Sequence, residues 1–203
     1  MGLFGPKKNK STRAASYFDR ENLVHTLKDL GDIYSPGAKQ EFKTKELIRF
    51  NNLALSDINK KALIEAIGDP VKIIDNLEQI SNYEIYFYRH SVDKFNFLMQ
   101  FHFCKENFLF VNNLVKSSYI LVLEDKRDIL KRIQNKYFPD IALDLDKGLN
   151  IKITDKTGNF LFSKDEVNFS ISYIYNSSAL KGLINTNAHQ SSSTLDSKID
   201  EFF

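Results

Sequence analysis

The sequence predicts an α+β fold: antiparallel meander sheet with helices packed on one face. Three observations carry that prediction. From Phe95 to Phe103 the odd positions are all apolar and the even ones mostly polar, the period of a strand with one face against a core. Upstream, apolar residues recur at helical spacing, as in Leu23, Leu27 and Leu30. The two patterns then run in the order helix, meander, helix, meander, which suits segregated layers rather than alternating parallel units.

Taken in order, Asp19 or Ser16 caps a first helix that ends at Gly31. Residues 32–43, with Pro36-Gly37, read as a loop, and 44–49 as a short helical piece. Ser56 is expected to cap a stronger helix carrying Ile58, Ala62, Leu63, Ala66 and Ile67, closed by Gly68-Asp69-Pro70. Residues 84–90, 95–103 and 108–111 then form a meander joined by the polar turns 91–94 and 105–107. The apolar run 119–123 reads as an interior strand. Asp125 is expected to cap a helix with Ile129, Leu130 and Ile133 on one side, ending near Pro139. Residues 149–154 and 160–162 make a hairpin across 155–159, where Gly158 supplies the positive φ, and 167–175 alternates as a last strand.

These elements divide the chain into a basic arm at 1–15, a first α+β unit at 16–115, a second at 116–176 sharing its core, and a linker with C-terminal tail at 177–203. The two units are either similar helix-plus-meander layers or parts of one continuous antiparallel sheet. With 203 residues, 42% hydrophobic and 17 of them phenylalanine, the chain is long enough for a sizeable core. No apolar run approaches the roughly 20 residues that span a bilayer, and residues 1–8 lack a signal-like apolar segment. Pro6 stands where a myristoylation signal at Gly2 would have Ser or Thr. The single cysteine, Cys104, excludes an internal disulfide framework and fits a reducing compartment, so a cytoplasmic protein is expected.

Charge is concentrated at the ends. Residues 1–13 carry +4 through Lys7, Lys8, Lys10 and Arg13, residues 190–203 carry −2, and the body between them is neutral. A neutral body offers no broad basic face for nucleic acid, so polyanion contact is confined to the arm.

No HExxH, GxSxG, GxGxxG or P-loop pattern occurs, and no cofactor is expected. His102 and Cys104 project from the same face of the long strand as Gln100, and Arg89-His90 lie on its neighbour. These four side chains, Arg89, His90, His102 and Cys104, define the face on which a ligand or catalytic site would lie, although a thiol and a hydrogen-bonded imidazole under a helix are the ordinary explanation. Tyr83, Tyr86, Tyr88, Tyr173 and Tyr175 line such a surface or finish the core. Asp140, Asp144 and Asp146 alternate with Ile141, Leu143 and Leu145, the spacing of a strand with an acidic outer face rather than a calcium loop.

The C-terminal segment carries the clearest functional signal. Ile199, Phe202 and Phe203 fall at i, i+3 and i+4, so one helical turn presents all three as anchors for a groove on another protein. Residues 196–203 resemble the clamp-binding box of replication and repair proteins, with Ile199 as the aliphatic plug, Phe202-Phe203 as the aromatic pair, and Asp196 where glutamine is usual. The resemblance implies a sliding clamp as partner. The sequence therefore points to a non-enzymatic protein that docks on a partner through its tail or its sheet surface, with a ligand-binding or catalytic protein and a clamp-recruited nucleic-acid accessory factor as the alternatives.

Overall fold

The computed structural model describes residues 17–77, 80–117 and 120–186. Their order is α1 (Tyr17–Glu21), α2 (Leu27–Tyr34), β1 (Gln40–Lys43), β2 (Arg49–Phe50), β3 (Leu53–Ala54), α3 (Lys60–Ile67), β4 (Lys72–Leu77), β5 (Ile80–Val92), β6 (Phe95–Cys104), β7 (Asn107–Ser117), α4 (Leu123–Tyr137), β8 (Ile151–Thr154), β9 (Phe160–Asp165), β10 (Phe169–Ile174) and α5 (178–186). The fold is α+β. One eight-stranded sheet runs β1-β8-β9-β10-β7-β6-β5-β4, and β2 and β3 form a separate hairpin. Every pairing in the large sheet is antiparallel except β1 with β8.

The meander β4 to β7 and the meander β8 to β10 join edge to edge where β7 pairs β10, Phe169 opposite Val115. Strand β1 belongs to the first stretch of chain yet pairs at the far end of the second, so the two halves share one sheet.

Helices lie on both faces, which corrects the expected single layer. One face gathers Tyr86, Tyr88, Phe101, Phe103, Val111 and Ile171 with Leu63 of α3 and Leu130 and Ile133 of α4. The other gathers Tyr83, Ile85, Phe87, Leu98, Phe110 and Ile174 with Leu30 of α2 and Leu180 of α5. The physical reason is that β5 is apolar in both parities, and a strand buried on both sides reads as a continuous hydrophobic run. Edge-to-face rings, such as Phe50 on Phe101 at 5.1 Å and Tyr88 on Phe101 at 5.5 Å, fill the first core, and each buried phenylalanine contributes about 2–3 kcal/mol.

Several local expectations change. The first helix is two: α2 begins at a capping box in which Thr26 accepts from Asp29 N while the Asp29 side chain takes Thr26 N. Asn59, not Ser56, caps α3 by accepting from Ala62 N at 2.9 Å, and Ser56 sits in a 3-10 turn. Residues 44–48 form no helix. Ile120 to Val122 form no strand, and α4 starts at Leu123 without a side-chain cap. Asp125 instead pairs with Lys94 across the β5–β6 turn. The acidic segment 140–146 is a loop ending in a 3-10 turn, with Gln40 donating to the Asp144 carbonyl. The expected linker begins too early, because Ser177 caps α5, whose Leu180 is fully buried.

The 155–159 hairpin has the expected Gly158 at φ +83. Asp155 is buried and accepts from Thr157 N, Asn159 N and, across the fold, Ile48 N. At the other hairpin, Asn51 and Asn52 both take positive φ, as a two-residue turn of the primed type requires.

Candidate functional site

The paired register places the four ligand-face residues individually. Cys104 lies opposite Tyr83, His102 opposite Ile85, and Arg89 opposite Leu98. Alternation along β5 sends Arg89 to the α1 face, where its guanidinium lies 5.2 Å from the Tyr17 ring and 5.3 Å from Phe18. His90 takes the opposite parity and the opposite face. The two side chains therefore leave the strand on opposite faces, although both residues border one cleft.

His102 is buried, stacked at 4.0 Å on Phe110, with the Tyr83 hydroxyl 3.0 Å from Nδ1. Burial drives its pKa down to about 3, so the ring is neutral. Its Nε2 is buried without a hydrogen-bond partner among the described residues. Burial likewise pushes the Tyr83 hydroxyl and the Cys104 thiol up, leaving both protonated. Gln100, on the same face, accepts from Leu23 N and donates to the Glu21 carbonyl, which fastens the end of α1 across the strand. A neutral imidazole and a protonated thiol beneath packed helices form part of a core, and no three His, Cys, Asp or Glu side chains converge as metal ligands among the described residues.

The cleft that Arg89 and His90 share has a volume of about 450 Å³ and is lined further by Phe50, Asn51, Ala66, Ile67, Tyr88 and Met99. The β2–β3 hairpin forms one wall and the end of α3 the other. The Tyr88 hydroxyl is buried without a partner among the described residues, and burial raises its pKa to about 12. Tyr173 is also raised by burial, and with Tyr86 and Tyr175 it packs in the same core.

A second surface lies at the end of the sheet formed by the β5–β6 and β9–β10 turns. Val167 is 98% exposed and Ile120 85% exposed, and both line a depression of about 330 Å³ with Leu121, Phe169 and the stems of Lys116 and Lys126. Val92, Val122 and Leu123 are exposed as well. Both lysines are already paired, Lys116 with Glu21 at 3.1 Å and Lys126 with Asp165 at 2.7 Å. No pattern in the sequence marks this rim, because 119–123 has the composition of a buried strand. Ile199, Phe202 and Phe203, and Lys7, Lys8, Lys10 and Arg13, lie outside the described residues.

Among the described residues no helix is long and apolar enough to cross a membrane. The chain matches no protein family model, and neither the curated proteins nor the solved structures compared with it show a significant match.

Proposed function

We propose that this protein works by contact with another protein, through the apolar rim at the end of its sheet and through its C-terminal segment. The observation that carries the reading is the exposure of Val167 and Ile120 on one depression, since contiguous exposed apolar surface on a folded chain marks an interaction site. The flanking lysines are neutralised by their partners, so the rim suits an apolar surface rather than a polyanion. The tail supplies a second anchor set, Ile199, Phe202 and Phe203, whose box-like spacing supports a sliding clamp as one partner.

Affinity capture from the source lysate tests this with three chains: wild type, Ile120→Asp with Val167→Asp, and Ile199, Phe202 and Phe203 all changed to alanine. Loss of a partner from either variant at unchanged thermal stability supports docking. Identical capture profiles from all three chains overturn it. Purified sliding clamp, titrated with wild type and the tail variant, tests the clamp itself.

Ligand binding in the His90 cleft is the second reading, favoured by the buried, unpartnered Tyr88 hydroxyl. An apolar ligand carrying one acceptor fits that lining, and Tyr88→Phe separates binding from packing.

A further inference from the structure

The face that carries α1, α2 and α5 is open along one line. Between Leu23 and α2 on one side and β9 on the other runs a groove of about 520 Å³ over β7 and β10, lengthened toward the 166–168 turn by a hollow of about 200 Å³. The two hollows share Leu23, Asn112, Lys164, Glu166 and Ser170.

Its floor is polar where a sheet face is ordinarily apolar. Gln100, Asn112 and Ser172 stand side by side on β6, β7 and β10. Asn112 is only 1% exposed. Its Oδ1 accepts from Ser172 Oγ at 2.9 Å, while among the described residues its Nδ2 makes no hydrogen bond. The hydroxyl of half-buried Ser170 likewise makes no hydrogen bond among the described residues. Among the described residues the sealed side-chain atoms without a partner are Tyr88 Oη, His102 Nε2 and Arg127 Nε, so the Asn112 donor is not sealed but opens on the groove, where a ligand or water can accept from it.

The walls narrow the chemistry. Asp32 and the Lys164–Glu166 pair, 3.0 Å apart, stand at the exposed lip, and Leu23, Ile33 and Phe162 supply apolar contact. Asp29 also lines the groove, but its carboxylate is spent on the backbone N–H groups of His25 and Thr26. Over both hollows Asp32 and Glu166 stand with Lys164 and Arg20, while Glu21 is paired with Lys116, so the lining is near neutral and favours neither an anion nor a cation. Donors and acceptors alternate within a short span, and an aliphatic and aromatic wall lies beside them. That arrangement matches adjacent hydroxyl groups, each of which donates and accepts at once. We propose that this groove binds a small uncharged polyhydroxyl compound of the sugar class, with Asn112 Nδ2 and the half-buried Ser170 Oγ as its contacts on the floor. The site stands apart from the partner rim and does not depend on it.

Saturation-transfer NMR on the full chain tests it, with glucose, galactose, mannose and N-acetylglucosamine as probes and citrate and spermidine as charged counter-probes. At least one sugar should receive saturation from the protein, and Asn112→Ala should weaken it about tenfold, the worth of one buried hydrogen bond. Because Asn112 lies in the sheet, the exposed double variant Asp32→Lys, Glu166→Lys provides a second measurement in which folding is spared and binding again falls. Absence of saturation transfer to every sugar on folded wild type overturns the proposal. So does binding that neither variant changes, or binding of citrate or spermidine in place of the sugars.

Discussion

Gly158→Ala is expected to cost about 2–4 kcal/mol, and the structure says where each part comes from. A residue with a Cβ held at φ +83 loses about 1–2 kcal/mol relative to glycine. The added Cβ would also stand 2.4 Å from Asn176 Nδ2, so Asn176 must move. That side chain donates to the Thr157 carbonyl, accepts from the Tyr34 hydroxyl at 2.8 Å, and follows a backbone N–H bound to Asn159 Oδ1. Disturbing this set adds about 1–2 kcal/mol. A double-mutant cycle separates the terms. In an Asn176→Ala background the obstruction is gone, so Gly158→Ala should cost only the backbone part. Urea unfolding at constant m-value measures all four chains. A cost below about 0.5 kcal/mol, or the same cost in both backgrounds, would refute the reasoning.

Three further outcomes are expected. The folded pKa of His102, about 3, lies below its unfolded value of about 6.5, so below pH 6.5 the unfolded chain takes up a proton that the folded chain refuses and stability is lost as pH falls. Between pH 7 and pH 5 wild type should lose about 2 kcal/mol more than His102→Leu, and parallel urea titrations giving equal losses would contradict this. Asp155→Ala should cost about 3 kcal/mol or more, since it strands the buried N–H of Ile48 along with those of Thr157 and Asn159; chemical denaturation reads it directly. Leu180→Ala should cost about 2–5 kcal/mol if α5 belongs to the core, whereas a linker position would show no change in melting.

How much of this was legible follows from period and from partners. The alternation of β6 survives in the structure because Phe101 and Phe103 face one core while Leu98 and Cys104 face the other. Strand β7 was legible only through Val111, because Asn112 and Asn113 interrupt its pattern. It continues to Ser117 since, from the neighbouring strand, the Ser172 hydroxyl donates to the Asn112 oxygen and the Ile171 carbonyl accepts from Asn113. That satisfaction is tertiary, and sequence does not display it. The second helical layer did leave a signal: Ile85, Tyr86, Phe87 and Tyr88 are consecutive, too apolar for a strand with a wet side. The parallel pairing of β1, four residues with two charges, left none. Of the ligand-face residues, shared parity along β6 puts His102 and Cys104 on one face, while Arg89 and His90, adjacent in sequence, leave the strand on opposite faces and still border one cleft.

The buried amides of the sheet differ in what they are committed to. Gln100 spends both ends of its amide on main chain at Glu21 and Leu23, and Asn113 donates to the Ile171 carbonyl. Replacing Gln100 by leucine therefore strands two main-chain groups and should lower stability by about 1–3 kcal/mol. Asn112 holds only the Ser172 hydroxyl, which reaches the groove and can turn to water. Asn112→Leu should then be neutral or stabilising, because a side chain whose only hydrogen bond among the described residues is to Ser172 gives way to an apolar one of similar size. Retaining such a residue against that gain is what a binding site requires. Paired urea curves for Gln100→Leu and Asn112→Leu decide the matter. If the Asn112 variant falls as far as the Gln100 variant, the amide is structural and the groove has no special donor; if it rises while sugar binding disappears, the asparagine is kept for the ligand.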